Sequence, residues 1–241
     1  MAAEVDGMAD PGPPPAARDF CRDCGLKDPD LFFVRMRRLA ALLFAANVET
    51  NLTRIRPGTD YWIRHVADAV ACGRLLPELR SGCWRLLDLG CGAGFPALAL
   101  AAAWPELQVT ALDSNRRKAA FVATAIRELA LENCLVLAAR GREYAATLAR
   151  SGDSFDLVTA RAVGTAPELC RESHRLLRAG GRLILYKTPA TAAAEIELAQ
   201  SRRPARDYAW SITAPYLLPG DAGERVFLIG RRPEATMGGD A

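Results

Sequence analysis

The amino-acid sequence predicts an α/β fold in which helices cover both faces of a mostly parallel sheet. From Arg85 onward, short apolar runs of β character alternate with stretches that have helical spacing. Continuous apolar strands separated by helices are typical of a parallel sheet buried on both faces. Near the end of the chain, two apolar runs flank the turn "PGDAGE", which predicts an antiparallel hairpin at the sheet edge.

Seven strands follow from this pattern. The five parallel strands are "WRLLDL", "QVTALD", "CLVLAA", "FDLVTA" and "RLILYK". The helices that alternate with them are "PALALAAAWP", "RRKAAFVATAIRELAL", "REYAATLAR", "APELCRESHRLLR" and "TAAAEIELAQSRR". The hairpin, from "DYAWSITAPYLLPG" and "RVFLIGRR", adds two more. The predicted Rossmann-like domain, residues 81–232, therefore resembles the seven-stranded sheet of Class I methyltransferases.

A helical extension is predicted before this domain, over residues 28–80. The run "DLFFVRMRRLAALLFAA" has apolar residues at helical spacing, and "YWIRHVADAVACGRLL" predicts a second helix with Thr59 or Asp60 as its N-cap. Residues 1–27 begin with an acidic, proline-rich run, which predicts a disordered tail. Residues 233–241 are predicted to be a second, flexible tail.

Composition excludes several classes of protein. The chain has 241 residues and a formal net charge of +3, so it is not a polybasic nucleic-acid coat. No apolar stretch is long enough to cross a bilayer. The seven cysteines are odd in number and several lie in apolar runs, which favours reduced thiols in a cytoplasmic protein. Cys21 and Cys24 are either half of a zinc site or an incidental pair. Since no second pair at ligand spacing accompanies them, we expect no metal.

The stretch "LLDLGCGAGFPALAL" at 86–100 is the main functional signal. Gly90, Gly92 and Gly94 stand at alternate positions where the first predicted strand turns into its helix. Without Cβ atoms, the backbone can approach a ligand closely and direct its N–H groups towards it. The alternative is a tight turn without a ligand. Three spaced glycines exceed what such a turn needs, and we therefore predict a binding site.

The glycine spacing favours S-adenosyl-L-methionine over a dinucleotide. The dinucleotide pattern G-x-G-x-x-G would require a third glycine at Phe95 or Ala97, and neither position has one. Asp88, just before the turn, is a candidate for holding the ammonium group of the ligand. Asp113 ends the second predicted strand, 23 positions after Gly90. That is about the expected spacing for an acid that binds ribose hydroxyls, although Asp113 could instead be a helix N-cap.

Basic residues follow the predicted strands, at the edge where ligands of parallel sheets bind. Arg161 follows the fourth strand and Lys187 ends the fifth. Other basic residues in such positions are Arg116, Arg117, Lys118, Arg140 and Arg142. Together they predict a cationic substrate face that suits a phosphate-rich partner. For Arg116 and Arg117, ordinary solvated arginines are an equal alternative.

The residues that two other kinds of methyl transfer need are missing. Enzymes that methylate exocyclic amines carry an Asn/Asp-Pro-Pro-aromatic stretch after strand four, where this chain has "TARAVGTAPE". Enzymes that methylate pyrimidine carbon-5 need a cysteine nucleophile beside strand four or five, and Cys170 falls within a predicted helix. A nucleophile with a lone pair and no proton to lose fits better, and N7 of guanine is such an atom. Catalysis would then depend on positioning and on a shaped electrostatic pocket.

Several stretches, in order, resemble the RsmG (GidB) family. They are "NLTRI", "IRHVADAV", "LLDLGCGAGFPALAL", "LDSNRRKAAFV", "LEN", "TARAV" and "LYK", within roughly residues 31–231. The first two are specific, because methyltransferases in general do not share a helical extension with these motifs. The resemblance implies S-adenosyl-L-methionine-dependent methylation of guanine N7 in 16S rRNA. It implies a cytoplasmic enzyme that meets 16S rRNA or the small ribosomal subunit, and we expect a monomer.

The resemblance and the motifs together assign roles to individual residues. The predicted cofactor-binding residues are Asp88, Gly90, Gly92, Phe95, Asp113, Gly141, Arg142 and Arg161. Gly141 and Arg142 match the pair that flanks the adenine in the family. Arg161 and Lys187 are the predicted catalytic residues, which orient the base and tune the electrostatics.

The motif "IRHVADAV" places Arg64, His65 and Asp68 on a helix that the resemblance packs against the catalytic face. His65 could equally be a plain core histidine. Two other functions stay open at this point. One is a small-molecule methyltransferase with the N-terminal helices as a lid, which an apolar, arginine-poor substrate face would favour. The other is a module that binds S-adenosyl-L-methionine or rRNA without turnover.

Overall fold

The protein folds around one mostly parallel β-sheet. The structure is a computed structural model that describes residues 12–149 and 153–234; the rest of the two predicted tails, residues 1–11 and 235–241, lies outside the described residues. The strands are β1 (Arg85–Leu89), β2 (Gln108–Asp113), β3 (Cys134–Ala138), β4 (Phe155–Arg161), β5 (Leu177–Lys187), β6 (Ala209–Ile212), β7 (Tyr216–Leu217) and β8 (Glu224–Arg231). Seven strands follow the hydrogen-bonded order β3-β2-β1-β4-β5-β8-β6, and the short β7 pairs with β8.

The sheet topology confirms the predicted fold class. Strands β1 to β5 are parallel to one another, whereas β8 runs antiparallel to β5 and β6 runs antiparallel to β8. The sequence did not reveal β7, because two residues are too few to give a periodic pattern. The strand order reverses direction at β1 and β4, and open α/β sheets bind ligands beyond the carboxyl ends of the strands at such a point.

Helices form a layer on each face of the sheet. They are α1 (Pro15–Asp23), α2 (Pro29–Thr50), a π-helical segment (Tyr61–Ala67), α3 (Asp68–Val70), α4 (Cys72–Leu75), α5 (Ala97–Ala103), α6 (Arg116–Glu128), α7 (Gly141–Leu148), α8 (Ala166–Ser173) and α9 (Pro189–Gln200). Side chains of successive strand residues point to opposite faces. Leu86 and Leu157 accordingly pack with the helices up to α6, while Leu87 and Val158 pack with α7, α8 and α9.

The ordered N-terminal region begins earlier than the sequence predicts. The prediction of a disordered tail up to residue 27 is wrong for its described part, because residues 15–23 form α1. Proline is tolerated in the first turn of a helix, where the N–H has no intrahelical partner. Phe20 and Cys21 of α1 are buried in the same core as α2. The polar composition around the prolines concealed this short apolar face.

The second helix of the extension is present but irregular. It begins at Thr59 and continues through the π-helical segment into α3 and α4. Asp60 does not cap it through its side chain and instead pairs with Arg64 (Oδ1 to Nε, 3.3 Å). The Tyr186 hydroxyl of β5 donates to Ala69 O (2.8 Å). This hydrogen bond fixes the end of the irregular helix to the sheet, and π-helical turns of this kind are frequent at functional sites.

The Asp88 carboxyl group ties β1 to β4 and to the start of α5. It is 1% exposed. The Ala97 N–H donates to Oδ2 (3.2 Å) and the Thr159 hydroxyl donates to Oδ1 (3.0 Å). Burial raises the pKa of Asp88 to about 7, more than these hydrogen bonds lower it. A protonated carboxyl can keep both contacts, since its O–H can donate to Thr159 Oγ1 instead.

Asp88→Asn is expected to keep the fold and to change the pH dependence of stability. The folded-state pKa lies above the usual value of 3.8, so the unfolded state releases its proton first as pH rises. The wild-type free energy of unfolding therefore falls between about pH 4 and 7, by on the order of a few kcal/mol from this group. Asparagine matches the neutral carboxyl and does not titrate, so the variant should gain stability relative to wild type over this range.

Urea unfolding of both proteins at several pH values from about 4 to 8 measures this difference. The comparison between variant and wild type cancels the contribution of every other group that titrates. A difference in unfolding free energy that stays constant with pH would contradict the prediction.

Candidate functional site

An open cleft of about 390 Å³ lies beyond the carboxyl ends of β1, β2 and β4. Its wall combines the turn after β1, the end of β2 with the start of α6, the turn after β4, and two parts of the helical extension. The lining residues are Leu52, His65, Gly90, Cys91, Gly92, Ala93, Phe95, Asp113, Ser114, Lys118, Arg161, Ala162 and Val163. Both the position and the volume suit a small-molecule ligand of an α/β protein.

Gly92 is the glycine that leaves room for a ligand. A Cβ atom added there would meet no described atom nearer than Gly90 O, at 3.9 Å. A Cβ atom on Gly90 would lie 2.8 Å from Val163 Cγ2, and one on Gly94 would collide with Leu98 Cδ1. Glycine is therefore needed at these three positions for two different reasons. At Gly90 and Gly94 a side chain would collide with packed residues, whereas at Gly92 the missing side chain leaves the backbone exposed to the cleft.

Asp113 fixes the conformation of this turn. The Gly92 N–H donates to Asp113 Oδ2 (2.9 Å), and the Asn115 N–H donates to Oδ1 (2.8 Å). The N-cap of α6 is Asn115, which accepts the N–H groups of Arg117 and Lys118. The alternative of Asp113 as the helix cap is therefore wrong. Its carboxylate lines the cleft, and each oxygen retains a lone pair for a ligand hydroxyl.

Arg161, at the end of β4, reaches the helical extension along the wall of the cleft. Its Nη1 donates to Arg64 O (2.9 Å) and Asp68 Oδ2 (3.1 Å), and its Nη2 donates to His65 Nδ1 (2.9 Å). The guanidinium carbon lies 5.7 Å from the centroid of the Phe95 ring. The side chains of Arg161 and Asp68 are 13% and 8% exposed. They form a largely buried ion pair, in which the loss of either partner is strongly destabilising.

His65 is held as a neutral imidazole. Burial and the nearby charge of Arg161 lower its pKa to about 3. Because Arg161 donates to Nδ1, the ring proton is assigned to Nε2, which lies 2.8 Å from Thr53 Oγ1 and donates to it. The imidazole stacks on Phe95 with a centroid distance of 4.5 Å and an angle of 15°. His65 is therefore part of the cleft wall as well as of the core.

The "NLT" stretch builds the neighbouring part of the wall. Asn51 follows α2 in the left-handed conformation (φ 48°) and turns the chain back. Asn47 Nδ2 then donates to Thr53 O (3.0 Å), and the Thr53 N–H donates to Asn47 Oδ1 (2.8 Å). Leu52 lines the cleft. The two motifs of the helical extension thus meet at the hydrogen bond between the Thr53 hydroxyl and the imidazole.

Lys187 is not among the described residues that line the cleft. Its Nζ pairs with Glu195 Oε1 (2.6 Å) and donates to Gly164 O (3.3 Å), and its side chain is 9% exposed. The second oxygen of Glu195 accepts the Ala166 N–H (2.7 Å). These contacts fix the segment that follows β4. The ammonium group is engaged within the protein instead of pointing at a ligand.

Three predicted cofactor residues also lie outside the cleft lining. Asp88 is behind the glycine turn. Gly141 begins α7 and packs on α8, where an added Cβ atom would lie 3.0 Å from Glu172 O. Arg142 Nε lies 3.4 Å from Glu172 Oε1 and faces another groove. The predicted residues that the cleft brings together are Gly90, Gly92, Phe95, Asp113 and Arg161.

Sequence reasoning assigned no role to several residues of the wall. They are Leu52, Cys91, Ala93, Ser114, Ala162 and Val163. Ser114 directly follows the second predicted strand and Ala162 comes two positions after the fourth, which was an available signal. Ala162 has a φ of 57°, a conformation uncommon for residues other than glycine. Burial raises the pKa of the Cys91 thiol far above its usual range, so the thiol is not a ready nucleophile.

Within residues 12–149 and 153–234, no group of three or more His, Cys, Asp or Glu side chains could hold a metal ion. Cys21 and Cys24 are buried free thiols. None of the helices in the described part of the chain has the length and apolar character to cross a bilayer.

Comparison with solved structures finds the same fold in several methyltransferases. The O-methyltransferase from Bacillus cereus, in complex with SAH, has a TM-score of 0.56 at 13% identity, covering 80% of this chain and 90% of that chain. The O-methyltransferase TomG from Streptomyces achromogenes, in complex with SAM, has a TM-score of 0.55 at 18% identity, covering 81% and 89%. At these identities the similarity concerns the fold alone.

Comparison of sequences identifies the family. The GidB model, described as rRNA small subunit methyltransferase G, matches residues 34–208. The Ribosomal RNA small subunit methyltransferase G of Deinococcus radiodurans is 39% identical over 231 residues, which cover 91% of this chain and 87% of the relative. The protein of the same name from Limosilactobacillus reuteri is 33% identical over 197 residues, which cover 81% and 80%. This chain therefore belongs to the GidB family of rRNA small subunit methyltransferase G proteins.

Proposed function

We propose that this protein transfers the methyl group of S-adenosyl-L-methionine to N7 of a guanine in 16S rRNA. Family membership supports both the methyl transfer and the rRNA substrate, because the relatives carry them in their names. One observation carries the choice of N7. His65 is neutral, and both of its ring nitrogens are engaged, by Arg161 and Thr53.

The turn after β1 fits the methyl donor. The bare backbone at Gly92 faces open space, and the carboxylate of Asp113 lies where it can accept the ribose hydroxyls. Gly90, Phe95 and Arg161 supply the other proposed contacts. When bound, S-adenosyl-L-methionine supplies an electrophilic methyl group on a sulfonium sulfur. Asp88 acts from behind the turn, by holding β1 and the start of α5 in place.

The described lining favours a target atom that loses no proton. His65 is engaged on both nitrogens, the Cys91 thiol stays protonated, and Asp113 already accepts two backbone N–H groups. A target that must lose a proton would need a positioned base. N7 of guanine attacks through a lone pair and needs none. The protein's part is then to hold N7 in line with the methyl group and to exclude other geometries.

The transfer moves a positive charge from sulfur to the guanine ring. Asp68 lies 3.1 Å from Arg161 and 3.7 Å from Arg225, so this one carboxylate offsets part of the positive charge of two guanidinium groups. Arg161 uses three N–H groups to hold the helical extension and has five. A remaining N–H can donate to O6 of guanine, the acceptor next to N7.

Basic residues stand next to lining residues of the cleft in the sequence, as expected for an RNA substrate. Arg54 and Arg56 are exposed in the loop that follows Leu52. Arg116 and Arg117 are exposed at the start of α6, and Lys118 lines the cleft itself. Positive charge of this kind attracts a phosphate backbone. It argues against the small-molecule alternative, which requires an apolar, arginine-poor face.

We assign Lys187 a positioning role and not a contact with the base. Its ion pair with Glu195, together with the hydrogen bond from the Ala166 N–H to that carboxylate, fixes the segment after β4 beside the wall of the cleft.

The proposal also covers the cellular compartment, the oligomeric state and the substrate particle. The protein would act in the cytoplasm, as a monomer, on 16S rRNA or the small ribosomal subunit.

Gly92→Ala is expected to weaken binding of S-adenosylhomocysteine by about tenfold or more, because the added methyl group enters the space of the ligand. Isothermal titration calorimetry measures the Kd. Gly58→Ala is the matched control. Gly58 also has a left-handed φ (77°, against 56° for Gly92) and open space at its Cβ position, but it does not line the cleft. Equal affinities for the two variants would contradict the assignment of this turn.

Arg161→Ala is expected to lower kcat by about 100-fold and the free energy of unfolding by about 2 kcal/mol, because Asp68 loses its closer partner and keeps only the longer ion pair with Arg225 (Oδ1 to Nε, 3.7 Å). Steady-state methylation of 16S rRNA and urea unfolding measure the two effects. The double variant with Asp68→Asn removes the buried carboxylate that has lost this partner, and it should regain part of the stability while remaining slow. If it regained the wild-type kcat as well, the role of Arg161 would be structural only.

The reaction itself is tested by mapping modified nucleotides in 16S rRNA from cells with and without the gene. One 7-methylguanosine should disappear on deletion and return with the wild-type gene, but not with the Arg161→Ala, Asp68→Asn variant. An identical modification map with and without the gene would overturn the proposed function.

A further inference from the structure

Arg142 lies in a second groove, formed by α7, the end of α8 and the segment before β6. The groove has a volume of about 270 Å³ and shares no described lining residue with the cleft. Its lining residues are Arg142, Ala145, Arg171, Glu172, His174, Arg175 and Pro204. The methyl transfer proposed above uses none of them.

Positive charge dominates this groove. Arg142, Arg171 and Arg175 are exposed, and Glu172 is the one acidic residue in the described lining. Glu172 lies 3.4 Å from Arg142 and balances that arginine. Within the described lining, two guanidinium groups therefore remain without an acidic counterpart.

Arg171 and Arg175 stand at the end of α8 and both line the groove. Arg171 is in the last turn of the helix, and Arg175 lies two positions beyond its last residue. Hydrogen bonds from Thr165 to one oxygen of Glu168 (2.8 and 2.9 Å) and the charge of Arg171 lower the pKa of Glu168. Arg171 is thus partly balanced by Glu168, and an anion bound between the two guanidinium groups would add a counter-charge for Arg175.

His174 lies at the floor of the groove, where its Nδ1 is 3.2 Å from the Tyr208 hydroxyl. Burial and the charges of Arg232 and Arg175 lower the pKa of His174, and the nearby carboxylate of Asp207 opposes this shift. Arg232 donates to His174 O (2.7 Å) and places a further guanidinium beside the floor.

We propose that this groove binds the phosphate backbone of the RNA whose guanine enters the cleft, as a second anchoring point. The proposal rests on the proposed function. Guanidinium groups bind phosphate oxygens through paired N–H donors, and two neighbouring arginines fit successive phosphates of one strand. Contacts of this kind set the orientation of the RNA without reading its sequence.

The double variant Arg171→Ala, Arg175→Ala tests the groove. Filter binding to 16S rRNA transcripts at several salt concentrations measures Kd and the slope of log Kd against log salt. We expect Kd to rise about tenfold near physiological salt and the slope to fall by about two, one for each phosphate contact. The control is Arg22→Ala, Arg127→Ala, which removes the same charge from two exposed arginines outside both grooves.

Several outcomes would overturn the proposal. An unchanged slope in the Arg171, Arg175 double variant would do so, as would an equal loss in the control. Binding of inorganic phosphate that disappears in the double variant while the RNA slope stays constant would identify a small-anion site instead. The Kd for S-adenosylhomocysteine should not change, since the cleft is untouched. Because binding is measured apart from methylation, a wild-type protein that binds but does not methylate 16S rRNA would count against the proposed function and not against the groove.

Discussion

The guanidinium of Arg161 is the contact on which the geometry of the cleft depends. It bonds at once to a backbone carbonyl, an imidazole and a carboxylate of the helical extension, and it lies beside the Phe95 ring of the glycine turn. The position of each of these groups is therefore set by the others. The helical extension forms one wall of the cleft. The hydrogen bond from His65 to Thr53 also fixes the position of the "NLT" loop relative to this wall.

The site separates residues that face a ligand from residues that hold the wall. Gly92 and Asp113 offer bare backbone and carboxylate oxygens to the cleft. Asp88 and Lys187 act from behind, through the start of α5 and through Glu195. This division matches the proposed chemistry. A methyl transfer without proton transfer depends on the relative position of the methyl group and the base more than on reactive side chains.

The sequence predicts the backbone architecture well and the directions of long side chains poorly. Strands separated by helices, and the terminal hairpin, follow from local periodicity, so the sheet could be predicted. Gly92 and Asp113 were identified for the same reason, since their places depend on the end of a strand. Lys187 ends β5 and Arg142 stands at the start of α7, after β3, but their side chains pair with Glu195 and Glu172 on neighbouring helices.

Local sequence patterns do not predict two features of the helical extension. The apolar face of α1 is too short to stand out from its proline-rich surroundings, and it becomes evident only where Phe20 is buried. The sequence predicts a helix over the π-helical segment but does not reveal its i→i+5 hydrogen bonding. This part of the extension contacts Arg161 through Arg64 O and His65 Nδ1.

The hydrogen bond from Tyr186 to Ala69 has a consequence for synthesis of the protein. It joins the extension, made first, to a strand that leaves the ribosome more than a hundred residues later. Tyr186 in turn packs edge-on against Phe227 of β8, with ring centroids 4.8 Å apart. The contact between the extension and the sheet therefore forms only after Tyr186 has emerged, and the ring that packs against Tyr186 emerges later still.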